Sequence, residues 1–202
     1  MCRRRRVRDD RGAVIIEAAL VTPLFLVLIL AFMELTVLFK DNMSVKNSAH
    51  DAAREASSAG AYYDADFAAL AVARKSLGPV SGNVERVVIF KATTSSATVP
   101  ANCKSMALGT QSTGSVADSC NVYTGTFVMG LQNSDRASFG DTGTGTKLDQ
   151  WYPALQRQQS RGGTAEYIGI YIKTKYKPLT KVAPTPANLE STSIIPIEPR
   201  TA

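Results

Sequence analysis

The sequence predicts an α+β protein, in which a long N-terminal helix continues into a small domain with a mainly antiparallel sheet. Residues 13–39 form one apolar run, and small residues then recur at helical period as far as Gly60. Beyond residue 84 the pattern changes to period two in four segments, the spacing of half-buried strands. At 202 residues and 45% hydrophobic, the chain has room for one globular domain beside that helix and is too apolar to be disordered.

The net charge of +6 suggests a nucleic-acid partner until it is located. Arg3, Arg4, Arg5, Arg6, Arg8 and Arg11 stand against Asp9 and Asp10, which is 6 − 2 = +4 in the first eleven residues. From Ala13 onward 17 basic residues meet 15 acidic ones. A nucleic-acid footprint needs basic residues massed on a folded face, so this balance argues against one.

The run AVIIEAALVTPLFLVLILAFMELTVLF, residues 13–39, carries only Glu17 and Glu34 as charges. As a helix its 27 residues measure about 40 Å, enough to cross a hydrocarbon core of about 30 Å with tilt. Arginines flank its start, which predicts a cytoplasmic N-terminus and an exported remainder, residues 40–202. A cleaved secretory signal is the competing reading. The run is long for one, and its exit, FMELTVLFKDN, has no A-x-A-like site. A twin-arginine signal fits poorly because Asp9 and Asp10 precede the apolar run.

Glu17 requires a partner. A carboxylate inside a membrane helix costs about 2.5–3.5 kcal/mol at the centre and less near an end. Its short stem also reaches the headgroups poorly compared with lysine or arginine.

RGAVIIE, followed by EAALVTPLFLVLILAFMEL, resembles the N-terminal signature of TadE-type minor pseudopilins of the tight-adherence (Flp, type IVc) pilus. The shared features are a short basic leader of residues 1–12, Gly12 at the cleavage position, Glu17 as the fifth residue after it, Pro23 within the span and Glu34 near its end. The resemblance covers roughly residues 11–55, about a quarter of the chain. It implies that a prepilin peptidase cuts between Gly12 and Ala13 and leaves the span in the membrane. It also supplies the partner for Glu17, the new α-amino group of Ala13 on this subunit or a neighbour. Further partners implied are other pseudopilins, the major pilin and the inner-membrane assembly platform, in a pilus serving adherence, biofilm formation or DNA uptake. Pro23 deletes a backbone donor and is expected to bend or loosen the helix; a passive kink explains it equally well. The alternative class is a single-span, membrane-anchored surface-binding protein that enters no filament.

Cys2 falls in the leader, while Cys103 and Cys120 fall in the exported part, where disulfides persist. The count therefore reads as one leftover and one bonded pair. A metal site would want four ligands, commonly with C-x2-C spacing, and the sequence has no such arrangement.

Val45, Ala49, Ala52, Ala53 and Ala56 form a small-residue stripe that lets another backbone approach closely, from the protein's own sheet or from a second subunit. DADFAALAVARKSLGP predicts a second helix, with Asp64 or Asp66 as N-cap, a buried face of Phe67, Leu70, Ala71 and Leu77, and Gly78-Pro79 as its stop. Strands are expected over 84–93, 122–130, 165–176 and 189–198. In the third, Ile168, Ile170 and Ile172 face one way and Tyr167 and Tyr171 the other. Pro196 makes the last an edge strand. A helix packed on such a sheet resembles the pilin-like ladle. Residues 130–164 read as a long loop, pinned to the sheet by Trp151, Tyr152 and Leu155 and available for a subunit or surface contact.

No catalytic constellation emerges, and we expect neither an enzyme nor a cofactor nor a small-molecule substrate. Asp141-Thr142-Gly143 matches the D-T-G of aspartic proteases, but that chemistry needs two carboxylates and only one copy occurs. GDTGTGTK misses the phosphate-loop pattern because Thr146 separates the glycine from the lysine. His50 is the lone histidine and reads as a solvated helix residue. Lys173, Lys175, Lys177 and Lys181 read as a solvated sheet edge guarded by lysine rather than as a DNA contact.

Overall fold

The computed structural model describes residues 11–106, 113–116, 120–142, 144–157, 166–179 and 187–198. Residues 1–10 with Cys2, Gly143 and Lys181 lie outside the described residues. The chain divides into two compact units, residues 1–38 with 178–185 and residues 39–177 with 186–202. The first helix, α1 (Arg11–Ala59), contributes to both.

In the larger unit, α1 is followed by α2 (Ala65–Ser76), β1 (Val84–Ala92), α3 (Ala101–Ser105), β2 (Thr113–Val116), β3 (Cys120–Thr124), α4 (Gly125–Gly130), β4 (Tyr167–Lys175) and β5 (Asn188–Pro196). The sheet has the order β2-β3-β1-β4-β5, and every pairing is antiparallel. The α+β class holds, with five strands where the sequence pattern suggested four. β2 escaped notice because its four residues, TGSV, carry one apolar side chain.

One expected strand is half helix. Residues 122–124 belong to β3, but 125–130 coil into α4, with the Thr124 hydroxyl accepting the Phe127 N–H at 3.2 Å as N-cap. Gly125 marks the switch: a Cβ there would lie 1.9 Å from the Val84 carbonyl oxygen, so only glycine fits where the chain turns against β1. Gly78-Pro79 ends α2 as expected, and the chain then continues as a 3-10 turn, Gly78–Asn83.

The two sheet faces follow from the register. Val88, Phe90, Cys120, Val122 and Tyr171 share one face, where Cys103 of α3 packs beside them. A disulfide joins Cys103 to Cys120 and closes α3 over this face. Such a link contributes about 3 kcal/mol in the chain-entropy model for a loop of this size. Phe90 lies across Gly169 on the neighbouring strand, where a Cβ would meet its ring at 2.2 Å.

The opposite face carries Val87, Ile89, Ile168, Ile170 and Ile172 with Asn121 and Tyr123. Helices cover it. Asn121 Nδ2 and the Tyr123 hydroxyl both donate to Asp66 Oδ2 of α2 at 2.8 Å. Ser44 and Ser48 of α1 donate to the α2 carbonyls of Ser76 and Ala73, and Ser57 donates to the Pro196 carbonyl of β5. The stripe of Val45, Ala49, Ala52, Ala53 and Ala56 is fully buried, so this domain consumes it.

Asp66 is therefore the hub of a buried network and not the N-cap; Asp64 holds the cap position without a side-chain cap bond. Arg157 donates to Asp66 Oδ1 at 2.5 Å, and both side chains are fully buried. Burial alone would lower the pKa of Arg157, but the Asp66 charge raises it. The Tyr123 hydroxyl is pushed well above its ordinary pKa by burial first and by Asp66 next.

The lysine reading needs correction. β4 is an interior strand between β1 and β5, so its lysines guard no edge. Lys173 lies 3.2 Å and Lys175 3.8 Å from Glu85, and Lys104 pairs with Glu190 of β5 at 2.5 Å. β5 is an edge strand, as Pro196 indicated.

Two predictions follow from these charges. Asp66→Ala leaves the Arg157 guanidinium buried without its carboxylate, which costs about 3–5 kcal/mol. The double variant Asp66→Leu/Arg157→Met should lose clearly less, as read by denaturant unfolding of the full chain in detergent. The second concerns acid. Burial raises the Glu85 pKa, but the Lys173 hydrogen bond and the Lys173, Arg86 and Lys175 charges bring it below 4.5 overall. For Glu190 the Lys104 hydrogen bond is the largest cause and also lowers the pKa below 4.5. Both therefore add stability that is complete above pH 4.5 and disappears as pH falls through their folded values. Glu85→Gln/Glu190→Gln should melt lower at pH 7 and show a shallower loss of melting temperature below pH 4.5.

Candidate processing and assembly segment

The first unit is built on residues 11–38 of α1. Three consequences of the sequence make this stretch helical: predominantly apolar side chains, backbone groups that pair along the helix except at Pro23, and no glycine between Gly12 and Gly60. The helix is long and apolar enough to cross a membrane, and its apolar side chains are exposed: Leu20 by 74%, Leu24 by 69% and Phe32 by 61%. A surface of this kind is stable only in lipid or against other helices.

Gly12 is exposed in the first helical turn, and a side chain at its position would meet no atom within 4 Å. Glu17 is exposed one turn later, with Val14, Leu20 and Val21 on its helix face. Ala13 and Glu17 stand four residues apart, which brings the Ala13 backbone and the Glu17 side chain to one side of the helix.

α1 runs without interruption through Pro23. The ring removes the N–H that would reach the Ala19 carbonyl. One residue earlier, the Thr22 hydroxyl donates to the Ala18 carbonyl at 2.6 Å, and Thr36 makes the same bond to Phe32 at 2.8 Å. These bonds return hydroxyls to the backbone where water is scarce.

Glu34 differs from its helix neighbours. It is only 8% exposed, whereas Met33 is 58% and Leu35 45% exposed. Its Oε1 accepts the backbone N–H of Leu179 at 3.0 Å. The sequence placed Glu34 near the end of the span but did not show this contact. An acid in an apolar run signals that a donor must come from somewhere; a backbone donor 145 residues away leaves no mark of its own. Just outside the run, burial raises the pKa of Asp41, with the Lys40 charge opposing it.

The other singled-out residues have local roles. His50 is exposed, with Nδ1 3.8 Å from Asp51. Asp141 accepts the backbone N–H groups of Gly145, Thr146 and Lys147. The GDTGTGTK loop thus aims its amides at an anion, as a phosphate loop does, but that anion is the chain's own carboxylate. Asp149 accepts from Gly140, Asp141 and Ala154. Burial and the Asp66 charge raise its pKa against those bonds. Tyr152 pins this loop from a buried position, whereas Leu155 is exposed and does not. Within KLDQWYPALQ the chain makes a 3-10 turn, Ala154–Gln156.

Residues 12–54 match the family model described as TadE-like protein. The matched stretch begins at Gly12 and ends within the second half of α1. No curated protein and no solved structure matches the chain.

Proposed function

We propose that this chain is a minor pseudopilin of a tight-adherence (Flp, type IVc) pilus, a non-catalytic assembly component. The observation that carries the reading is the coincidence of the TadE-like match with an apolar helix whose side chains are exposed from Val14 to Met33. The basic leader stays in the cytoplasm, a prepilin peptidase cuts between Gly12 and Ala13, and the span remains in the membrane with residues 40–202 outside. Helix 13–39 then docks among other pseudopilins, the major pilin and the assembly platform, priming or building the filament for adherence, biofilm formation or DNA uptake.

The chemistry of the new terminus supports this order of events. Cleavage creates an ammonium at Ala13, one turn from Glu17 on the same helix and within reach of Glu17 on a neighbouring helix in register. In low dielectric an ammonium–carboxylate pair is tolerable, whereas removing one partner typically costs about 3–5 kcal/mol. The same pair therefore rewards in-register docking and penalises uncleaved subunits, whose backbone nitrogen carries no charge.

Mass spectrometry of the protein from its native host, with the prepilin peptidase present and deleted, tests the reading. The expected result is a peptide beginning at Ala13 that is lost in the deletion strain. An uncut N-terminus in both strains would leave a membrane-anchored surface protein, and a start beyond Phe39 would mean ordinary secretion. Either result overturns the proposal.

A further inference from the structure

The link between Glu34 and Leu179 has a geometric consequence. In a helix rising about 1.5 Å per residue, the twenty residues after Ala13 span the roughly 30 Å of a hydrocarbon core and end at Met33. Glu34 then stands at the outer boundary of the hydrocarbon, about 7.5 Å short of the end of the apolar run at Phe39. Leu179, 3.0 Å from its carboxylate through the backbone N–H, lies at the same depth. Its side chain is turned away from protein, 71% exposed. Pro178 and Leu179 belong to the same compact unit as the span.

The chain supplies this segment from a fixed base. β4 and β5 are paired as far as Lys175 and Asn188, and the Tyr176 N–H donates to the Ala187 carbonyl at 2.8 Å, so the β4–β5 connection leaves and returns at one point. Lys177, two residues before Leu179, is exposed, and Pro178 separates them. A basic residue, a proline and an exposed leucine in succession suit the zone between headgroups and acyl chains, where cations meet phosphate and apolar side chains leave water.

We propose that Leu179, at the start of the β4–β5 connection, makes a second membrane contact, inserted at the outer interface of the bilayer that α1 crosses. The occupant of its exposed face is lipid. Glu34 holds Leu179 at that depth through its backbone N–H. The inference rests on α1 spanning the membrane, and its test separates the two.

Full-length protein carrying Cys2→Ser would be labelled with an environment-sensitive fluorophore at Leu179→Cys, Val27→Cys or Ser58→Cys. Each form would be reconstituted in phosphatidylethanolamine/phosphatidylglycerol vesicles containing a nitroxide lipid quencher at shallow or deep acyl positions. Val27 should be quenched most by the deep nitroxide, which reports the span itself, and Ser58 by neither. Leu179 should show blue-shifted emission and quenching by the shallow nitroxide, both lost when Glu34→Ala is added. Emission at Leu179 like that at Ser58, with Val27 still quenched, would overturn the second contact and leave the span intact. Loss of quenching at Val27 would remove the premise and the inference together. A blue shift at Leu179 without quenching by either nitroxide would mean that another protein chain covers it, and would also overturn the proposal.

Discussion

In hydrocarbon every backbone N–H and C=O must be satisfied within the segment, and a single chain segment meets that demand only as a helix. This constraint organises the protein. Residues 13–39 have no other stable form in lipid, and once the helix is running it continues to Ala59. Its first half is exposed and apolar, and its second half is a buried stripe of valine and alanine. One element thus carries two kinds of surface, and its residues change from large and apolar to small where the exposed run gives way to the buried stripe.

The small stripe sets the terms for the rest of the larger unit. Alanines let α2 and the sheet approach closely enough for serine hydroxyls on α1 to reach carbonyls of α2 and β5. On that same side the polar groups of the sheet converge on Asp66, which gathers Asn121 and Tyr123 of β3 and the distant Arg157. The other face needs no helix of such length. There the disulfide and the short α3 cover an apolar cluster around Phe90 and Tyr171.

What the sequence disclosed follows from this division. The span is a continuous apolar run, and the stripe and the isoleucine–tyrosine alternation of β4 are periodic patterns that assign residues to faces directly. Thr124-Gly125 was opaque because VYTGTFVMG has strand-like composition, and only the approach of Gly125 to the Val84 carbonyl forces the turn into α4. The lysines of β4 were misread because charge on a strand looks solvated until a partner such as Glu85 is placed opposite. Asp141 stood out only as part of an incomplete D-T-G motif and Asp149 not at all, yet both hold that loop through backbone amides, which have no side-chain signature. Gly12, Glu17 and Pro23 stood out through the resemblance they carry, whereas the contact of Glu34 with Leu179 depends on a connection between two strands far along the chain.

Two carboxylates in one span therefore have different chemistry. Glu34 is covered by its own chain, and Glu17 is exposed on the helix surface where a second charge can meet it. The central claim is that Glu17 serves assembly and not folding. The most direct test is to replace Glu17 with alanine in the native host and to count pili by electron microscopy, with immunoblots for protein level and mature size. The account predicts that pili are lost while a processed protein of normal abundance remains in the membrane. Normal piliation by the Glu17→Ala strain would contradict it.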